Sequence, residues 1–120
     1  MASVLTKSIL LSVRKMLGIP AEHDQFDPDI IMHINSVFDI LTQLGVGPEE
    51  GFMIEDDTTT WDDYVTDTRL NLVKSYMYAK VRLLFDPPTS GIVMGAQQEI
   101  IKEMEFRLNV QVDPEEDEDG

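Results

Sequence analysis

The 120-residue sequence contains no cysteine. That absence removes disulfides, zinc–thiolate centres and thiol nucleophiles together. Long apolar runs are also missing, and a helix needs about 20 predominantly apolar residues to cross a bilayer, so no membrane span is expected. The N-terminus shows no apolar core followed by a small-residue cleavage site, and Lys7, Arg14 and Lys15 interrupt it. No signal peptide is expected, and the chain is read as made in cytoplasm-like conditions. Positive charge is scarce: 9 Lys and Arg stand against 23 Asp and Glu, for a net charge of -14. Phosphate contacts supply most of the affinity of nucleic-acid binders, and they require clustered cations. This chain is not expected to grip DNA, although an acidic wall beside DNA would let it slide past.

Hydrophobic residues make up 42% of the chain, enough for a core, and the length fits one domain. The apolar spacing is helical in four places. Leu5, Ile9, Val13, Met16 and Leu17 predict a helix over 3–17, stopped by Gly18 and Pro20. Asp27 is expected to cap a second helix, with Pro28 at its first position. Ile30, Ile34, Val37, Phe38, Leu41 and Leu44 form its stripe, and Gly45 ends it. Residues 45–60 read as a loop with an apolar island, Phe52-Met53-Ile54, which either tucks onto the core or meets another chain. Thr60 is placed to cap a short turn through Trp61 to Tyr64. Asp67 or Thr68 then caps a third helix, stopped after Phe85 by Asp86, Pro87 and Pro88. Only a narrow stripe of this helix is polar (Asn71, Ser75, Tyr78 and Arg82), which predicts a place at the centre of a bundle or between subunits. A fourth helix is expected from Ser90 or Gly91 to Leu108, with Val93, Ile100, Ile101, Met104 and Leu108 facing inward. Six of the 23 acids crowd into Asp113 to Gly120. The expected organisation is therefore all-α: a compact four-helix domain over 1–109 with a long central loop, and a flexible acidic tail over 110–120.

Residues that carry chemistry are sparse. His23 and His33 have no second His or Cys at ligand spacing, and both read as structural. Glu55, Asp56, Asp57, Asp62 and Asp63 lack the Gly and Glu positions of a calcium loop and fit helix capping better. Gly45-Val46-Gly47 lacks the Lys and the strand–turn–helix setting of a phosphate loop. Glu103 and Glu105 point to different sides of a helix and cannot share work across a substrate. No catalytic residue, cofactor or metal ligand is expected.

Two positions break the local pattern. Lys80 lies in the apolar arc of the third helix, so its stem snorkels or its ammonium pairs with an acid of a neighbouring helix or subunit. Phe106 falls on the polar side of the fourth helix beside Glu103 and Arg107, where an apolar ring points to a surface shared between subunits. Phe52, Met53, Ile54, Lys80, Phe106 and Arg107 are thus the candidate subunit or partner interface. Replacing Phe52 and Ile54 with Ser is expected to leave a folded monomer and to impair assembly.

The segments VRKMLGI, FDPDIIMHIN, LTQLGVGPEEGFMI, TW, VKSYMYAKVRLLFDPP and EIIKEMEFRLN, in this order and spacing, resemble the head–tail connector (adaptor) proteins of long-tailed bacteriophages. The similarity runs from about Leu10 to Leu108 and is most specific at Lys80 to Pro88 and Glu105 to Leu108. The resemblance implies an α-helical, non-enzymatic virion protein at the head–tail interface. It implies a dodecameric ring beneath the portal protein that extends the DNA channel and docks the next head-completion (stopper) or tail protein. Implied partners are therefore sister copies, portal and stopper or tail protein. Genomic DNA would pass without specific binding, and no membrane is involved. The competing reading is a small acidic regulator that mimics DNA and inhibits a host nucleic-acid-binding protein. A metal-dependent enzyme is the weakest of the three.

Overall fold

The computed structural model of the chain describes residues 8–20, 22–64 and 70–112, with residues 111 and 112 described by backbone alone. Among the described residues there are four α-helices: α1 (Ile9–Leu17), α2 (Asp27–Gln43), α3 (Leu70–Phe85) and α4 (Gly91–Val112). A single 3-10 turn, Trp61–Asp63, interrupts the long connection between α2 and α3. Among the described residues no strand forms; Ser8 and Thr60 make one isolated bridge. No described helix is long and apolar enough to cross a membrane.

Each helix obeys its local chemistry. Ser8 caps α1: its Oγ accepts the Leu11 N–H at 3.2 Å. Gly18 ends α1 at φ 78°, and its N–H bonds back to the last turn, which is the left-handed cap that glycine adopts without strain. The expected helical start at Ser3 lies outside the described residues, as do the Asp67 and Thr68 caps of α3 and the acidic run from Asp113.

One capping expectation is corrected. Asp27 is the first residue of α2 rather than its cap; Phe26 holds the cap position and makes no side-chain capping bond. The Asp27 carboxylate turns instead to Arg14, with Nε 3.4 Å from Oδ1. Arg14 is buried, and its Nη2 donates to the carbonyls of Pro20 at 3.1 Å and His23 at 3.3 Å. A buried guanidinium needs acceptors on several sides. Here it ties the α1–α2 connection to both helices.

The core forms where α1, α2 and α3 meet. Ile9, Leu10 and Val13 come from α1, Ile30, Ile34, Val37, Phe38 and Leu41 from α2, and Val73, Tyr76, Met77 and Val81 from α3. Helix α3 packs against all three other helices, as its nearly all-round apolar surface predicts.

Helix α4 departs from its expected burial. Ile101 and Leu108 are buried and Met104 is half-buried, but Val93 and Ile100 are exposed. Length accounts for Val93: at about 1.5 Å per residue, the 22 residues of α4 overrun the 16 of α3, its main support, and its first turns overhang. Ile100 lies level with Ala79 and Arg82 of α3 but faces outward, because its neighbour Ile101 takes the inward direction. Helix α4 also continues to Val112, past the end expected at Leu108.

The connection after α2 turns on Gly47, at φ 82°. A Cβ there would lie 2.6 Å from Cε1 of the buried Tyr64 ring. Gly18 and Gly51 also have positive φ, but a Cβ on either meets nothing within 4 Å. Gly18→Ala and Gly51→Ala should each cost about 1 kcal/mol of backbone strain. Gly47→Ala should cost at least about 2 kcal/mol, because the Tyr64 ring must also move. Urea denaturation of the three variants checks this order.

Candidate subunit interface

The apolar island of the long connection divides between inside and outside. Ile54 is 1% exposed, and its backbone is held like a strand partner by one side chain. Asn35 Oδ1 accepts the Ile54 N–H at 2.8 Å, and Asn35 Nδ2 donates to the Ile54 carbonyl at 3.0 Å. Phe52 is half-buried, with its ring 5.0 Å from that of Phe38 and 4.9 Å from that of Tyr64. Met53, between them, is 63% exposed. The expectation that a double Ser replacement at Phe52 and Ile54 spares the monomer does not survive this geometry, because both side chains pack into their own chain. Of the three, only Met53 points outward.

The connection is also sewn to α1. Ser8 Oγ donates to the Asp57 carbonyl at 2.8 Å, and the Ile9 N–H donates to Thr59 O at 3.1 Å. Trp61 Nε1 donates to Ser12 Oγ at 3.0 Å, and Ser12 Oγ donates to the Ile9 carbonyl at 3.0 Å. The expected turn after Thr60 forms, and the Asp63 carboxylate accepts the Thr60 N–H at 3.0 Å. Asp56 bonds the Thr58 hydroxyl and N–H, which hold its pKa below the usual carboxylate value. Among the described residues no three of His, Asp and Glu gather as a metal-binding group. His33 sits edge-on to the Phe85 ring at 6.4 Å.

The remaining candidates cluster on and beside α4. Phe106 is 69% exposed. Arg107 Nη2 meets Glu103 Oε2 at 2.9 Å, an i,i+4 pair. Glu99 and Lys102, at i,i+3 spacing, form no such pair. Lys80 is half-buried in a cleft with Leu83, Gln98, Ile101, Lys102 and Glu105. Among the described residues it makes no ion pair, so within the chain its stem is covered and its ammonium reaches water.

Helix α4 adds exposed residues that were not among the interface candidates. Ile92 is 87% exposed, and Val93, Ile100 and Val110 are exposed as well. A polar tie holds the helix in place: the hydroxyl of the buried Tyr76 donates to Glu105 Oε2 at 2.7 Å. Burial first, and then the Glu105 carboxylate, push the Tyr76 pKa well above its ordinary value.

A row of uncovered apolar side chains on an outer helix, beside a cation with no ion-pair partner among the described residues, is the kind of surface at which proteins meet one another. A family model described as phage connector protein matches residues 9–115. The chain belongs to that phage connector protein family. The family makes the connector a bacteriophage structural protein, associated with the virion and with other virion proteins. No curated protein and no solved structure matches the chain.

Ile54→Ala in the connector should cost about 3 kcal/mol, within the range for buried Ile. Met53→Ser should leave the denaturation midpoint unchanged within about 0.5 kcal/mol. Tyr76→Phe should cost about 1.5 kcal/mol, the usual size of a hydrogen bond to a charged group. The folded chain holds the phenol proton more tightly than the unfolded chain. This stabilisation is therefore complete below the unfolded tyrosine value of about 10 and is lost as pH rises through the higher folded value. Stability measured against pH should fall less steeply above about pH 10 in Tyr76→Phe than in the parent.

Proposed function

We propose that this connector is the head–tail adaptor of a tailed bacteriophage. On this reading, copies form a ring, dodecameric in the virion, beneath the portal protein. The ring extends the DNA channel and docks the next head-completion or tail protein, and the role is structural rather than enzymatic. The observation that carries the reading is the family match over nearly the whole chain, residues 9–115.

Physical features support it. A net charge of -14 suits a channel through which DNA must slide, because an acidic wall repels phosphate instead of neutralising it. A ring needs a heterologous interface, with one surface of each copy meeting a different surface of the next. The exposed apolar residues of α4, together with Met53, Lys80, Phe106 and Arg107, supply surface for sister copies and virion neighbours.

Quantitative mass spectrometry of purified tail-bearing particles tests the proposal. The chain should be present at a copy number comparable to that of the portal subunit. Absence from mature particles, with salt-sensitive binding to a host DNA-binding protein, would favour the acidic DNA mimic instead.

A further inference from the structure

The outer face of α4 has a pattern of its own. Ile92, Ala96, Glu99, Glu103, Phe106 and Val110 are all exposed and follow one another at alternating steps of four and three residues. That spacing is the seam of a helix that packs lengthwise against another element. The seam is apolar at both ends and carboxylate in the middle. Glu103 is matched by Arg107 within the helix, whereas Glu99 makes no ion pair among the described residues.

Two copies of this seam do not pair with each other. An antiparallel pairing centred on the helix sets Glu99 and Glu103 against the same carboxylates of the partner, and like charges there oppose association. The seam calls for an apolar surface with a cation at its middle.

The chain carries one on another side. Arg82, exposed on α3, has no carboxylate partner among the described residues; its Nη1 donates to the Met16 carbonyl at the end of α1, 3.3 Å away. On its other side Arg82 borders a shallow cleft with Ala79, Gln97, Ile100 and Ile101. A strip therefore runs from exposed Met16 across Arg82 to exposed Ile100, apolar at both edges and cationic between them. The cleft on the opposite side of α4, around Lys80 and Lys102, is less suited because it already holds the chain's own carboxylate, Glu105.

We infer that the outer seam of α4 in one copy seats on the Met16–Arg82–Ile100 strip of the next copy, with Glu99 facing Arg82. The inference rests on the adaptor reading only in supposing that copies of the chain meet. One contact of this kind covers the exposed apolar residues of both surfaces. It also gives Glu99 and Arg82 the ion-pair partner that each lacks among the described residues. Because seam and strip are different surfaces of one chain, the contact propagates from copy to copy, as ring closure requires.

The cysteine-free chain is suited to the test. Full-length Met16→Cys and Ala96→Cys chains are mixed and treated with a short bis-maleimide, both as concentrated purified protein and within tail-bearing particles. Cross-linked peptides are identified by mass spectrometry. A 16-to-96 link between different copies in either preparation is the expected result. It should be lost when either Arg82→Glu or Glu99→Arg is added to both chains, and should return when both reversals are present. Absence of the 16-to-96 link from both preparations overturns the inference, as does a dominant 96-to-96 link or a failure of the double reversal to restore the link. Particle composition remains a separate readout. A chain abundant in particles without this link leaves the adaptor reading standing, and a link in purified protein with no chain in particles does the reverse.

Discussion

Helix α3 is the constraint on which the arrangement depends. Val73, Tyr76, Met77 and Val81 are fully buried on it, and α1, α2 and α4 all pack against it. A helix with apolar residues over most of its circumference has no stable place at a surface. Its neighbours are therefore obliged to surround it, and the order of the elements follows from that need. Helices α1 and α2 also pack against each other, so each has a second support. The Arg14–Asp27 pair and the carbonyls that Arg14 binds hold that corner in register.

Helix α4 has less support. Its outer flank is exposed among the described residues, and its tie to the rest of the fold is a line of apolar anchors reinforced by Tyr76 and Glu105. Asn109 adds one further bond, Nδ2 to the Leu44 carbonyl at 3.3 Å. A lone domain gains little from so long an exposed helix with Ile92 and Phe106 in solvent, since burying either side chain would stabilise it by about 1.5 to 3 kcal/mol. Members of an assembly recover that free energy at an interface. On the adaptor reading, the same helix would be the least constrained element within the chain and the most available one between chains.

Much of this was legible in the sequence because helices announce themselves twice, by spacing and by punctuation. The stripe Ile30, Ile34, Val37, Phe38 and Leu41 is the buried face of α2, and Gly18, Gly45 and Pro87-Pro88 stand where helices stop. Partner choice was less legible. Asp27 before Pro28 has the form of a cap, but only the fold brings Arg14 within reach of its carboxylate. Asn35 lies on the polar side of α2 by pattern, yet it holds the Ile54 backbone 19 residues away by both ends of its amide. In α4 the apolar residues spread around the helix, so spacing could not rank Ile101 over Ile100. The position of α3 decides which of the two faces inward.

The long connection shows how irregular chain becomes rigid without regular structure. Backbone groups in such a segment need partners as much as those of a helix do. Here the partners are side chains of already formed helices: Asn35 from α2, and Ser8 and, through Trp61, Ser12 from α1. The aromatic cluster of Phe38, Phe52 and Tyr64 then closes over Gly47, where there is no room for a side chain. With its apolar residues largely spent inward, this connection has little left to offer a partner beyond Met53. On the adaptor reading, the surface left for assembly is therefore that of α4, whose outer face no described residue covers.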